Sequence, residues 1–422
     1  MSVANPNGAA NANGAADPAG AAKPGGEANT PGAGPLAGVK VLDCSLLGPD
    51  GATMHLADFG ADVVKIEPPG GDYVRQTGWP IIDGASVFHW QLNRGKRSVL
   101  LDLKQSGDKD IFLKLAAKAD VVLEGMRPGA LDKLGLGWDK LHAANPKLVM
   151  CSVSGYGSVG PYSNMAAHSF GFDSWAGLAP STRDERGFAA LPPTYAPIGL
   201  TVGPLFAALG ILACLLRARE SGQGSRIEVS QSAAAAAVNW QMLVGQRAHE
   251  KLAGGKPVEP LPMPGMAVRE AVRYQYYASK DGCVLFMPSE RKFWRNFCAG
   301  AGRNDLFEKF PGKEFAEHES GNHELRRALS EVFLEKTTAE WLDIGLKANF
   351  PIAPVYDAAQ ALRDPHFQAS INWIPARQNE SETLGMPVRF LDETLPVPRR
   401  APDVGQHNQE VLRDWLGAAE GG

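Results

Sequence analysis

Cysteine is scarce: Cys44, Cys151, Cys214, Cys283 and Cys298 are the only five among 422 residues. They form no CxxC pair and have no adjacent pair of histidines, which excludes a zinc ribbon and offers no disulfide framework, so no metal is expected. Reduced thiols in a cytoplasmic protein are the expected state. Basic runs are also missing. Lys and Arg number 42 against 46 Asp and Glu, for a net charge of -4, and the cations are scattered, so neither nucleic acid nor an anionic membrane is an expected partner. The longest apolar run, 205–216, falls short of the roughly 20 residues of a membrane span and stops at Arg217 and Arg219. The expectation is a soluble chain. Residues 1–34 contain no aromatic residue and no basic segment leading into an apolar one, so they read as a flexible Ala/Gly/Pro-rich tail, not a secretion signal.

What is present begins after that tail. Short apolar runs at 38–44, 62–67, 98–103, 120–124 and 147–154 alternate with amphipathic stretches, a pattern that predicts βαβ units and a Rossmann-like, doubly wound parallel sheet. Helical patterning extends from 205 to about 247. A Gly/Pro-rich segment at 253–266 marks a boundary, and Tyr274 to Phe286 reads as a hairpin around Asp281-Gly282. The expected organisation is a large α/β domain at 35–250, a smaller α+β domain at 251–350, and a segment at 351–422 returning to the large domain.

Gly155-Tyr156-Gly157-Ser158-Val159-Gly160 matches GxGxxG after a strand. Pro161 and polar residues follow it where a dinucleotide fold needs an apolar helix, and no acid lies about 20 residues on at the end of a second strand, so NAD and FAD are not expected. A turn that lets the backbone approach a ligand or another chain fits better.

Several segments taken in order carry a resemblance. They are Gly60-Ala61-Asp62-Val63-Val64-Lys65-Ile66-Glu67, Asn93-Arg94-Gly95-Lys96-Arg97-Ser98, Ala119-Asp120-Val121-Val122-Leu123-Glu124-Gly125-Met126-Arg127-Pro128-Gly129, Ser154-Gly155-Tyr156-Gly157, and Gly210-Ile211-Leu212-Ala213 through Gly222-Gln223-Gly224. The chain after residue 35 resembles the family III CoA-transferases, a group that includes formyl-CoA and carnitine CoA-transferases, with α-methylacyl-CoA racemases as a sister branch. The resemblance implies an interlocked dimer, CoA or an acyl-CoA as substrate, and no covalently bound cofactor. It places Leu101, Asp102, Leu103, Lys104, Gly125, Met126, Arg127 and Lys133 at the CoA site, where Lys104, Arg127 and Lys133 can meet phosphates. The family's Ala-Gly-Pro turn is altered here to Leu47-Gly48-Pro49-Asp50.

The resemblance also implies an aspartate, preceded by glycine, ten residues before Gly210. It attacks the donor thioester to form a mixed anhydride, releases CoA thiolate and later carries CoA as an enzyme thioester. Gly199 fills the glycine position, and Leu200 stands where the aspartate is expected. A leucine performs none of these steps. The racemase branch pairs that aspartate with a histidine matching His168, and a second acid of the site corresponds to Ser169. His168 is accordingly expected to be a packed or hydrogen-bonded histidine, while Asp173 is a displaced-acid candidate with a helix cap or surface role as its alternative.

The sequence thus points to the non-nucleophilic subunit of a hetero-oligomer whose paralogue supplies the acid, moving CoA between an acyl-CoA, with succinyl-CoA as one candidate, and a carboxylic acid. The succinyl-CoA:(R)-benzylsuccinate CoA-transferases, built from two similar but distinct subunits, are similar in arrangement. An active homodimer using Asp173 and a non-enzymatic CoA-thioester-binding scaffold are the alternatives.

Overall fold

The computed structural model describes residues 34–166, 168–193, 196–261, 268–314, 317–376, 381–395 and 397–417. The expected N-terminal tail lies almost wholly outside them. Six strands, β1 (Lys40–Cys44), β2 (Asp62–Glu67), β3 (Lys96–Leu100), β4 (Val121–Glu124), β5 (Val149–Ser154) and β6 (Ser225–Ser230), form one sheet in the order β6-β5-β4-β1-β2-β3. Every neighbouring pair is parallel. This is the doubly wound order, and it reverses between β1 and β4, where such sheets open a crevice at their carboxyl ends.

Side chains alternate across the sheet. Leu42, Val64, Val99, Val122 and Met150 face one core, closed by helices Ser106–Ala116, Trp138–Ala144 and Asn408–Leu416. Val41, Val63, Val121, Leu123, Val149 and Val153 face the other. That second core is covered by helices α1 (Asp50–Asp58) and α3 (Ile198–Ser221), the label α2 being given to Ser169–Trp175 and α4 to Gln231–Val238. Near-continuous apolar runs are what a strand buried on both faces requires.

The C-terminal helix is fixed to the sheet edge by charge as well as packing. Arg97 on β3 pairs with Asp62, Glu410 and Asp414 at 2.6, 3.1 and 2.9 Å, while Trp415 donates its indole N–H to Asp62 at 2.8 Å. A third core, built on Trp294, Phe297, Phe333, Trp341 and Phe286, belongs to the small antiparallel sheet Gln275–Ala278, Cys283–Phe286 and Ile352–Pro354. The third of these strands comes from beyond residue 350.

Three sequence expectations need correction. The strand expected at 98–103 runs instead over Lys96–Leu100, so the following residues Leu101 to Lys104 leave the sheet in a turn. The helical stretch expected over 205–247 is broken by β6, because Gly222 closes α3 in the left-handed region and the chain re-enters the sheet beside β5. The apolar helix begins at Ile198, which makes it 24 residues long and, by length and composition, sufficient to cross a membrane. Its face Ala207, Ile211, Leu215 and Ala218 is nevertheless buried against the sheet, as a core helix requires.

Close approach at the α3–β6 turn gives a test. A Cβ on Gly224 would lie 2.0 Å from the Leu148 carbonyl oxygen, a backbone atom with no freedom to move aside. Gly224→Ala is expected to lower stability by about 2–3 kcal/mol, read from the urea midpoint, as an overpacked backbone contact does.

Candidate functional site

The crevice at the sheet's switch point is built on the β1–α1 turn, residues 45–49. A buried charge cluster holds that turn. Lys65, inside β2, donates to the Ser45 carbonyl at 2.9 Å, to Asp50 at 2.6 Å and lies 2.9 Å from Asp72. Lys96, at the start of β3, reaches Asp43 at 2.8 Å and the Asp50 carbonyl at 2.9 Å. Ser45 and Thr53 donate to the Asp43 carboxylate, each at 2.5 Å. All of these groups are fully buried or nearly so.

Three carboxyl groups surround two ammonium groups, leaving one negative charge in excess. Asp43 is held down to about 2: burial raises it, but Lys96 and Lys65 outweigh that. Asp50 is pushed up to about 7 by burial, with Asp43 and Asp72 reinforcing the rise and the two lysines opposing it. Asp50 therefore carries the excess proton at and below neutral pH. Sequence reasoning missed this cluster. The available signal was Lys65 itself, a cation inside the apolar run Val63-Val64-Lys65-Ile66 of a central strand.

The turn so held presents Gly48 to α3. A Cβ at Gly48 would sit 2.3 Å from Leu200 Cδ1 and 3.3 Å from Gln231 Oε1, so only glycine fits with Leu200 in place. Gly199, one residue earlier, donates its N–H to Asp173 Oδ1 at 2.8 Å. That N–H is one of the four unpaired donors of the α3 N-terminus, and Asp173 caps it from α2. The surface role expected as an alternative for Asp173 is excluded by its complete burial, whereas the capping role is found, on a helix other than its own. Its Oδ2 and the Gln231 Oε1 atom are both buried without a hydrogen-bond partner among the described residues.

The remaining positions separate. His168 is exposed at the N-terminal end of α2 and makes no side-chain cap, contrary to the packed histidine expected, because its position ahead of the first helical turn leaves the side chain in solvent. Ser169 follows it, half-buried. Leu101, Asp102, Leu103 and Lys104 leave the end of β3, and Gly125, Met126 and Arg127 leave the end of β4, with Lys133 on the short helix Ala130–Lys133. Lys104, Arg127 and Lys133 are exposed, and Leu101 points into the core, so its backbone alone faces outward. Three strand spacings, about 14 Å, separate the ends of β3 and β4. Gly125 adjoins the β1 turn: a Cβ there would lie 2.9 Å from Ser45 Cβ and 3.2 Å from Pro49 Cβ. The Gly155–Gly160 turn approaches its own chain, since Gly157 faces Glu228, which accepts the Ser158 N–H at 2.6 Å.

On its other side Leu200 lines a cavity of about 860 Å³, whose walls also include Leu47, Gly48, Met54, Phe88, Pro204 and a C-terminal stretch within 369–395. No group of histidine, cysteine or acidic residues suited to a metal occurs among the described residues.

Comparison with known proteins agrees with this geometry. The family model for CoA-transferase family III matches residues 36–408. The chain belongs to that family. Similar proteins include human succinyl-CoA:glutarate CoA-transferase, 30% identical over 90% of this chain and 86% of that one. The alpha and beta subunits of the Chloroflexus aurantiacus succinyl-CoA–L-malate CoA-transferase are each 30% identical over 92% of this chain, covering 86% and 95% of their own lengths. A crystal structure of a CaiB/BaiF family protein from Brucella suis superposes with a TM-score of 0.73 at 25% identity, spanning 91% of this chain and all of that one. The family III membership and the α/β fold expected from the sequence are therefore established. In this chain an apolar side chain on α3, Leu200, faces the β1–α1 turn.

Proposed function

We propose that this chain is the non-nucleophilic subunit of a cytoplasmic, hetero-oligomeric family III CoA-transferase, paired with a paralogue that supplies the carboxylate. The reaction moves CoA between an acyl-CoA and a carboxylic acid, and the succinyl-CoA transferases among its relatives make a succinyl thioester one candidate donor. The observation that carries the reading is Leu200 against Gly48, an apolar side chain in contact with the turn where the family resemblance calls for the nucleophile. Relatives named as alpha and beta subunits support a two-gene arrangement.

CoA is assigned to the strip formed by Leu101, Asp102, Leu103, Lys104, Gly125, Met126, Arg127 and Lys133, whose span suits an extended ligand better than a compact ion. An interlocked dimer is supported by the outer face of α3 and the helix after α4, where Leu205, Leu209, Leu216, Trp240 and Val244 are exposed.

The test is acyl exchange. Expressed alone, the chain is expected to exchange no CoA and to form no hydroxylamine-sensitive acyl-enzyme; co-expressed with a paralogue carrying Gly-Asp at the matching position, it joins an active complex. A second reading, an active homodimer, is favoured by the unpartnered Asp173 Oδ2 near Leu200. Exchange by the lone chain with the acyl label on Asp173 would establish that reading and overturn the first.

A further inference from the structure

The cavity beside Leu200 has a volume of about 860 Å³, within the range of about 300–1,000 Å³ typical of small-molecule sites. Arg94, the buried cation of its lining, is spent on Asp58, by hydrogen bonds of 2.6 and 2.9 Å, and on the Gln91 carbonyl at 2.7 Å. His55, pushed down to about 4 by burial and by Arg94, is neutral at pH 7. Arg389, the remaining cation of the lining among the described residues, is exposed, as is Glu393. The relatives named above carry glutarate and malate in their names, and a dicarboxylate with its first carboxylate at the Gly48–Leu200 contact would carry its second in among Met54, Phe88 and Pro204, which offer nothing to repay its lost hydration.

We infer that the cavity takes the chain of an apolar monocarboxylic acid, free or as the acyl group of its thioester, with the carbonyl end at the Gly48–Leu200 contact and the chain against Leu47, Met54, Phe88 and Pro204. This rests on reading that contact as the acyl end of the CoA site. Leu200 then has a positive role: it completes an apolar wall that an aspartate would interrupt. The walls are drawn from sequence more than 300 residues apart, from Leu47 to Leu395.

Calorimetry on the full-length chain with succinate, hexanoate, octanoate and decanoate tests this. Affinity is expected to rise about fourfold per methylene, the equivalent of about 0.8 kcal/mol, with succinate at least tenfold weaker than decanoate. Two variants locate the site. Leu200→Asp is expected to weaken decanoate about tenfold or more, and Val388→Trp, at a half-exposed wall position that tolerates size, to move the preferred chain to a shorter one. Succinate binding as tightly as decanoate, or no acid binding at all, overturns the inference. So does a Val388→Trp chain whose oligomeric size changes while decanoate binding does not, because a partner segment then fills the cavity. CoA binding is measured separately: its loss with retained decanoate binding removes the proposed function and leaves the cavity assignment, and CoA binding without chain-length preference does the reverse.

Discussion

Lys65→Met is expected to destabilise the chain by about 3–5 kcal/mol, measured as a fall in the urea midpoint at constant m-value. The wild-type ammonium spends its three donors on the Ser45 carbonyl, Asp50 and Asp72, and neither it nor the two acids has any exposed side-chain surface. Methionine fills the space but leaves Asp43, Asp50 and Asp72 facing Lys96 alone, so the excess charge grows from one to two. The fold must then bind a further proton or admit water. Adding Asp50→Leu to Lys65→Met removes one of the uncompensated acids, and recovery of part of the loss is expected. If the double variant is less stable than wild type by the sum of the two separate costs, the groups are not coupled and the cluster does not act as a unit. The same variant reports on the site, since the Lys65 bond to Ser45 holds the β1–α1 turn against Leu200, and a slackened turn is expected to reduce ligand binding even in conditions where the chain is fully folded.

The sheet was legible in the sequence because its strands are buried on both faces and stand out as apolar runs. The exception, β6, reads Ser225-Arg226-Ile227-Glu228-Val229-Ser230, an alternating and half-exposed edge strand between two helices, and its signal was absorbed by the helical patterning on either side. Leu200 was legible by position alone. Its surroundings were not: the Asp173 bond to Gly199 crosses 26 residues, Gln231 comes from the helix after β6, and part of the cavity wall comes from beyond residue 368. Asp173 illustrates the limit most directly. From spacing it is one acid near a helix start, and only the packing of α2 on α3 turns it into a buried cap for a helix other than its own. The cluster of Asp43, Asp50, Lys65 and Lys96 has the same origin, since it is assembled from the neighbouring strands β1, β2 and β3 and from α1, and periodicity says nothing about which strands are neighbours.

Asp50 gives the fold a pH dependence of unusual sign. Its carboxyl, pushed up to about 7, binds a proton more tightly in the folded chain than at its ordinary value near 4 in the unfolded one. Its contribution is therefore fully present below about pH 4, falls as pH rises through 7, and is absent above; the gap between the two values corresponds to ~4 kcal/mol. Asp43, held near 2, acts in the opposite sense and only below about pH 4. His55 and His89, lowered to about 4 and about 3 chiefly by burial, stay neutral in the folded chain and make stability rise with pH between about 4 and 6.5, so the raw curve does not isolate Asp50. The difference between wild type and Asp50→Asn does. Asparagine mimics the protonated carboxyl, keeping an acceptor for Lys65 and Ser45 and an N–H for Asp72. The stability of wild type relative to Asp50→Asn is expected to fall by ~2–4 kcal/mol between pH 4 and 8, read from urea midpoints in matched buffers. A difference that stays flat, or rises with pH, would mean that Asp50 is ionised throughout and that the two lysines outweigh its burial.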